Sequence, residues 1–221
     1  MDMQQELEAR FADRAAAGRR LAARLEYLRD QRPVILGLPR GGVPIAYEVA
    51  RALHAPLDVI VVRKLGVPWL PELAMGAIGE GGSRVVDRGL LRHERITEEL
   101  LAEVEQRESA ELLRRAQTYR AGRDPVPIEG RTVVVIDDGI ATGATARAAC
   151  LVVKQRGAAR VVLATPVLPP ELIGALGRVA DELVWLCAPE PMVAVGNWYE
   201  DFEQLTDAEV VDLLARADAA P

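Results

Sequence analysis

Aromatic residues are scarce in this chain. Two Phe, three Trp and four Tyr make up 4% of 221 residues, while 50% of the residues are hydrophobic. A core drawn from this composition is aliphatic, built from Ala, Val, Leu and Ile. Cysteine is almost absent: Cys150 and Cys187 lie in apolar surroundings without metal-ligand spacing. A disulfide scaffold and a zinc ribbon are therefore excluded, and a reducing cytoplasm is expected. His54 and His93 are the only histidines, lack a ligand partner at useful spacing, and are expected at the surface. No apolar run approaches the roughly 20 residues of a membrane span. Residues 1–10 are polar and acidic, unlike a secretory leader. The net charge of −6 argues against general affinity for nucleic acid. There is no internal repeat and no low-complexity segment. One soluble cytoplasmic domain over 1–221 is expected.

What the chain does contain is an alternation of short apolar runs and helical patterns. Residues 1–30 carry Leu7, Phe11, Leu21, Leu25 and Leu28 near helical spacing, and Pro33 stops that helix. Val34 to Leu38 reads as a strand covered on both faces and empties into Pro39-Arg40-Gly41-Gly42. Pro44 is well placed to open a helix from Ile45 to Leu53, followed by a strand over Leu57 to Val62. Arg63 to Gly82 is rich in Gly and Pro without periodicity and predicts a long mobile loop. Thr97 to Tyr119 predicts a charged helix laid on one face through Ile96, Leu100 and Val104. Gly122 to Gly130 is a link, after which Thr132 to Ile136 is a strand. An Ala-rich helix then runs to Gln155 before Gly157. Strands are predicted over Arg160 to Val167 and Leu183 to Ala188. Thr206 and Glu209 form a capping box ahead of a terminal helix. Alternation of this kind predicts an α/β fold with parallel pairing and right-handed crossovers.

The densest chemistry lies in Val134 to Thr145. Asp137 and Asp138 end a buried strand, and a small-residue turn with two hydroxyls leads into a helix N-terminus. In open α/β sheets ligands bind just outside that strand end. Backbone N–H groups of Ala141 to Thr145, the two Thr hydroxyls and the helix dipole form a phosphate cradle. The carboxylates would repel a phosphate, so they serve ribose hydroxyls or a Mg²⁺ ion held through water. A sugar phosphate with free hydroxyls fits both halves. No Lys follows a P-loop glycine pattern, the glycines at 76–82 lack dinucleotide-binding order, and no nucleophile elbow is present. Standing alone, Asp137-Asp138 has a weaker, plainer reading as a polar strand end before a capped helix.

Val134-Val135-Ile136-Asp137-Asp138-Gly139-Ile140-Ala141-Thr142-Gly143-Ala144-Thr145 resembles the signature of the type I phosphoribosyltransferases, which bind phosphoribosyl pyrophosphate (PRPP). Leu38-Pro39-Arg40-Gly41-Gly42 falls where that family has its pyrophosphate loop, and Arg63-Lys64 where it has a flexible catalytic loop. The resemblance covers roughly residues 34–188. Gly139 departs from the aliphatic residue that usually follows the acid pair. An uncharacterised bacterial branch shares the Asp-Asp-Gly-x-Ala-Thr-Gly form, and also Phe11-x-Asp13-Arg14-x-x-Ala17-Gly18. The resemblance implies an open, mainly parallel sheet flanked by helices, with a hood from residues 1–30 and 189–221. It implies that Asp137 and Asp138 contact ribose hydroxyls and that Ala141, Thr142, Gly143, Ala144 and Thr145 hold the 5-phosphate. Arg40, Gly41 and Gly42 would hold pyrophosphate through a loop that often has a non-proline cis peptide. Arg63 and Lys64 would act on the leaving group, with Mg²⁺ held mainly through PRPP.

The family's hood covers the acceptor base, and Trp198, Tyr199 and Phe202 gather there. They either stack on a base or pin the C-terminal helix. Thr165 stands where six-oxopurine members carry a Lys, which weakens hypoxanthine or guanine as acceptor. Cys150 reads as packing, not as a nucleophile. The expected function is phosphoribosyl transfer to an unidentified base, by a homodimer on analogy with the fold. A PRPP-sensing protein without turnover is the alternative, disfavoured because Arg40, Arg63 and Lys64 are retained. An auxiliary domain of a larger enzyme is a third reading, although the terminal helices look like self-contained ends.

Overall fold

The computed structural model describes residues 10–219. Of the helix predicted over 1–30, Leu7 lies outside the described residues and the visible helix α1 spans Arg14–Leu25. Asp13 sets its start by accepting from the Ala16 N–H at 2.6 Å. Phe11 therefore lies ahead of the helix and pairs with Tyr199 in a parallel bridge. A 3₁₀ turn over Glu26–Gln31 leads to β1 (Val34–Gly37). The next helix, α2 (Gly42–Leu53), begins three residues before its predicted start. β2 (Leu57–Val59) follows.

The segment from Arg63 to Gly82 corrects its prediction as a mobile loop. It forms β3 (Val62–Val67) and β4 (Leu70–Gly79), an antiparallel hairpin joined to β5 (Arg84–Val86). Leu65, Val67, Met75 and Ala77 are buried as in an ordinary strand pair. Register shifts around Gly66, together with Pro68 and Pro71, break the alternation that reveals a hairpin in sequence. After α3 (Arg88–His93) comes α4 (Glu98–Arg120), capped by Thr97. Its buried positions include Leu101, Val104, Leu112, Ala116 and Tyr119.

The main sheet is completed by β6 (Thr132–Ile136), β7 (Arg160–Val167) and β8 (Glu182–Cys187), with α5 (Ala144–Gln155) crossing between β6 and β7. The short helix α6 (Ile173–Leu176) precedes β8, and α7 (Asp207–Asp218) closes the chain behind the predicted capping box. Strand order is β2-β1-β6-β7-β8, all parallel. Both faces are covered, which explains the uninterrupted apolar run of β6. Val133 and Val135 pack against Ala149, Cys150 and Val153 of α5. Val134 and Ile136 pack on the other face with Leu21 of α1 and Ile45 and Val49 of α2.

One buried ionic cluster ties the smaller sheet to this frame. Arg120, at the end of α4, is 6% exposed and donates to both oxygens of Asp58, at 3.0 and 3.2 Å. It also donates to Glu80 and to the Val59 carbonyl. Asp58 accepts further from the Val126 N–H, and Glu80 from that of Val61. With these partners satisfied, two carboxylates and one guanidinium survive burial between β2, the hairpin end and α4. Arg120→Ala would leave both carboxylates uncompensated. The expected loss is about 3–5 kcal/mol of unfolding free energy, read as a lower denaturant midpoint. The triple variant Arg120→Met, Asp58→Asn, Glu80→Gln should lose less, because no buried charge is then left alone.

Candidate functional site

Two loops leave adjacent strands at the carboxyl edge of the sheet. The loop after β1 holds Pro39, Arg40 and Gly41, and its Pro39–Arg40 peptide bond is cis. Gly41 lies directly against the acid pair: a Cβ there would fall 1.9 Å from Asp138 Oδ2. Close approach of backbone to carboxylate therefore requires glycine at this position. Arg40 is half-exposed, with Nη1 3.9 Å from Asp207 at the start of α7.

The loop after β6 carries Asp137 and Asp138. The Asp138 N–H donates to Asp137 Oδ1 at 3.0 Å. Burial, reinforced by the neighbouring Asp138, pushes the Asp137 carboxyl up to about 8. Burial also raises Asp138, but Arg14 opposes it: Arg14 Nε donates to Asp138 Oδ2 at 2.9 Å. Tyr199 donates its hydroxyl to the Asp138 carbonyl at 2.6 Å, and burial pushes that hydroxyl well above its ordinary pKa. Asp138 is thus held by both chain ends. In the sequence Arg14 stands out only as part of a branch-specific motif. Nothing local reveals a partner 124 positions away.

Gly139 is a matter of space. It is not in the left-handed region, and a Cβ there would meet Val195 Cγ1 at 2.2 Å. The segment before Trp198 therefore packs onto this loop only because the side chain is missing. Beyond it, Gly143 is left-handed at φ +75° and starts α5, while Thr142 Oγ1 accepts from the Ala144 N–H at 3.5 Å. A cavity of about 180 Å³ lies here, lined by Asp137, Ile140, Thr142, Gly143 and Thr145 among others. The unpaired first-turn amides of a helix are suited to an anion.

A larger cavity of about 650 Å³ runs from Pro39 and Thr145 to Arg63 and Lys64 on β3. Its far wall is α4, which contributes Arg107, Glu108 and Arg115. Arg63 donates to Glu108 Oε2 from Nε at 2.9 Å and from Nη2 at 2.6 Å. Burial raises the Glu108 carboxyl, yet the hydrogen bonds from Arg63 and Arg107 hold it below its ordinary range. Lys64 Nζ lies 3.2 Å from the exposed Glu72. The charged helix between the hairpin and β6 is consequently part of the cleft wall, a role its composition did not reveal.

The residues singled out near the hood lie deeper. Trp198 and Tyr199 are buried, Phe202 is partly exposed, and Thr165 is sealed in the core with its hydroxyl donating to the Val167 carbonyl. Burial pushes the Cys150 and Cys187 thiols up to about 12 and about 11, so neither is poised as a nucleophile. His54 and His93 are both exposed. No helix of the described residues is long and apolar enough to cross a membrane.

A parallel sheet that presents its loops in this order has the type I phosphoribosyltransferase fold. The chain belongs to the phosphoribosyltransferase family: the family model described as "Phosphoribosyl transferase domain" matches residues 5–176. Two curated proteins of Mycobacterium tuberculosis, from strains CDC 1551/Oshkosh and ATCC 25618/H37Rv, are each named "Putative phosphoribosyl transferase". Both are 52% identical to it over 207 residues, 94% of this chain and 47% of theirs. The chain spans about half the length of these curated relatives. The crystal structure of TT1426 from Thermus thermophilus superposes with a TM-score of 0.87 at 46% identity, covering 94% of this chain and 98% of that one.

A carboxyl whose pKa rises on folding stabilises the fold while it is protonated. For Asp137 that contribution is complete below about pH 4. It is lost as pH climbs through about 8. Stability of the ligand-free protein should therefore decline between mildly acidic and alkaline pH. Asp137→Asn removes this decline, and its thermal midpoint at alkaline pH should exceed the wild type's by roughly 2–5 °C. Scanning calorimetry across the pH range checks it; parallel curves for the two proteins would contradict the assignment.

Proposed function

We propose that the protein is a Mg²⁺-dependent phosphoribosyltransferase. It binds PRPP, transfers the 5-phosphoribosyl group to a nitrogenous base or related acceptor, and releases pyrophosphate. The observation that carries this reading is the convergence at one sheet edge of an oxygen-only acid pair, a small-residue helix start and a glycine loop against Asp138. In this reading Asp137 and Asp138 receive the ribose hydroxyls. Ala141 to Thr145 receive the 5-phosphate, and Arg40 with the Gly41 and Gly42 amides receives pyrophosphate.

The donor set fits Mg²⁺ of a particular kind. No group of three or more His, Cys, Asp or Glu side chains converges as a metal cage among the described residues. The acid pair offers oxygen ligands at most through water, which suits an ion whose remaining coordination comes from substrate phosphates. Bound in that way, Mg²⁺ supplies charge neutralisation on the departing pyrophosphate.

The rest is the work of this chain. The bond from ribose C1 to the pyrophosphate oxygen breaks as the acceptor nitrogen bonds to C1, through an oxocarbenium-like transition state. No covalent nucleophile is needed. Arg40, Arg63 and Lys64 stabilise the negative charge that builds on the leaving group. Arg63 is held by Glu108 in the ligand-free protein, so pyrophosphate would have to compete with that carboxylate. A homodimer in the cytoplasm belongs to the same reading, on the family resemblance and the free cysteines.

Incubation with Mg·PRPP and a panel of purine, pyrimidine and pyridine bases tests it by pyrophosphate release. Release with at least one base is expected. The double variant Asp137→Asn, Asp138→Asn should weaken Mg·PRPP binding by about tenfold or more in calorimetry. Binding without release for any base would favour the sensing alternative, and unchanged affinity in the double variant would overturn the site.

A further inference from the structure

Arg14 joins parts of the molecule that the sequence keeps far apart. Its Nε reaches Asp138 across 124 positions, and its Nη1 donates to the Glu203 carbonyl at 2.9 Å across 189. The guanidinium carbon lies 3.9 Å from the centre of the Phe202 ring and 6.0 Å from that of Tyr199. The side chain is only 11% exposed, and it opens a helix whose start is fixed by the Asp13 cap. A long, flexible side chain is thereby reduced to one geometry before any ligand arrives.

Asp138 is correspondingly constrained. Arg14 holds Oδ2, the Gly41 backbone lies against the same oxygen, and Tyr199 holds the carbonyl. Among the described residues, no side chain donates to Asp138 Oδ1. An arginine can engage a carboxylate through two parallel bonds, using both oxygens. Here Nε alone reaches the carboxylate, at Oδ2, while Nη1 is committed to the Glu203 carbonyl.

We infer that Arg14 is a positioning residue for the sugar: it pins one oxygen of Asp138 so that the other is presented to a ribose hydroxyl. The inference rests on the reading of the acid pair as the ribose site. The grip depends on residues 202–203 as well as on residue 14, so the sugar site is complete only when both hood segments are docked.

The distinguishing property is ligand-selective. Loss of a merely structural contact weakens every ligand, whereas loss of Asp138 orientation weakens ligands that carry the sugar. Calorimetry of wild type, Arg14→Met and Arg14→Lys with Mg·PRPP, ribose 5-phosphate and Mg·pyrophosphate separates the two. Arg14→Met is expected to weaken both sugar ligands by about tenfold or more. Its affinity for Mg·pyrophosphate should stay within about twofold. Arg14→Lys keeps the charge without the planar fork and should recover only part of the loss. Equal weakening of all three ligands, or undiminished sugar binding, overturns the inference. Should Arg14→Met fail to fold, Phe202→Leu leaves the arginine in place without its ring. It should show the same selective loss to a smaller extent, and no loss would count against the inference equally. A wild-type protein that binds Mg·pyrophosphate but neither sugar ligand overturns the proposed function, and this inference with it.

Discussion

Adjacent carboxylates cannot both stay charged out of water without a compensating cation. Asp137 and Asp138 lie together at the end of a strand buried on both faces, where each is only partly exposed. Much of the surrounding structure is a response to that constraint. One acid is driven toward its neutral form, and the other is given a guanidinium. The cation comes from the N-terminal helix and its alignment from the C-terminal segment, while Gly41 leaves room for the Asp138 carboxylate and Gly139 for Val195. The fold is thus arranged around an electrostatic tension at its working edge.

A second ionic arrangement lies between β2, the hairpin end and α4 and has a different character. Arg120 with Asp58 and Glu80 is fully satisfied and sealed, and it fixes the root of the hairpin. Arg63 with Glu108 lies farther along the same hairpin, on the cavity wall and partly open to water. A pair in that position is weaker and exchangeable. The open end of the hairpin thus carries a sealed ionic cluster and, one residue in, a more exposed pair.

Much of the parallel sheet could be read directly from the residues. β6 and β7 have the bounds that their apolar runs indicate, because strands buried on both faces carry an unbroken signal. The Thr206–Glu209 box likewise announces α7. The hairpin of β3 and β4 was hidden, since Gly66, Pro68 and Pro71 imitate loop composition while a bulge disturbs the alternation. Asp137, Asp138 and the turn to Thr145 were legible through their spacing. The side chains that tune them were not: Arg14, Tyr199 and Glu108 come from elements remote in sequence. Gly139 departs from the aliphatic residue usual after the acid pair, and the Val195 side chain that takes the space is visible only in the folded chain.

The bridge between Phe11 and Tyr199 carries a consequence for how the molecule comes into being. A chain emerging in order from its site of synthesis would have the whole parallel sheet available before residues 195–203 appear. Until then Arg14 lacks the Glu203 carbonyl, and Asp138 lacks the Tyr199 hydroxyl. Such distant pairings are slow to form because loop closure must precede the contacts that stabilise it. Assembly of the scaffold and maturation of its edge are then successive events. Residues 195–203 act as a keystone: every strand of the sheet precedes them in the chain, and the grip on Asp138 is complete only with them in place.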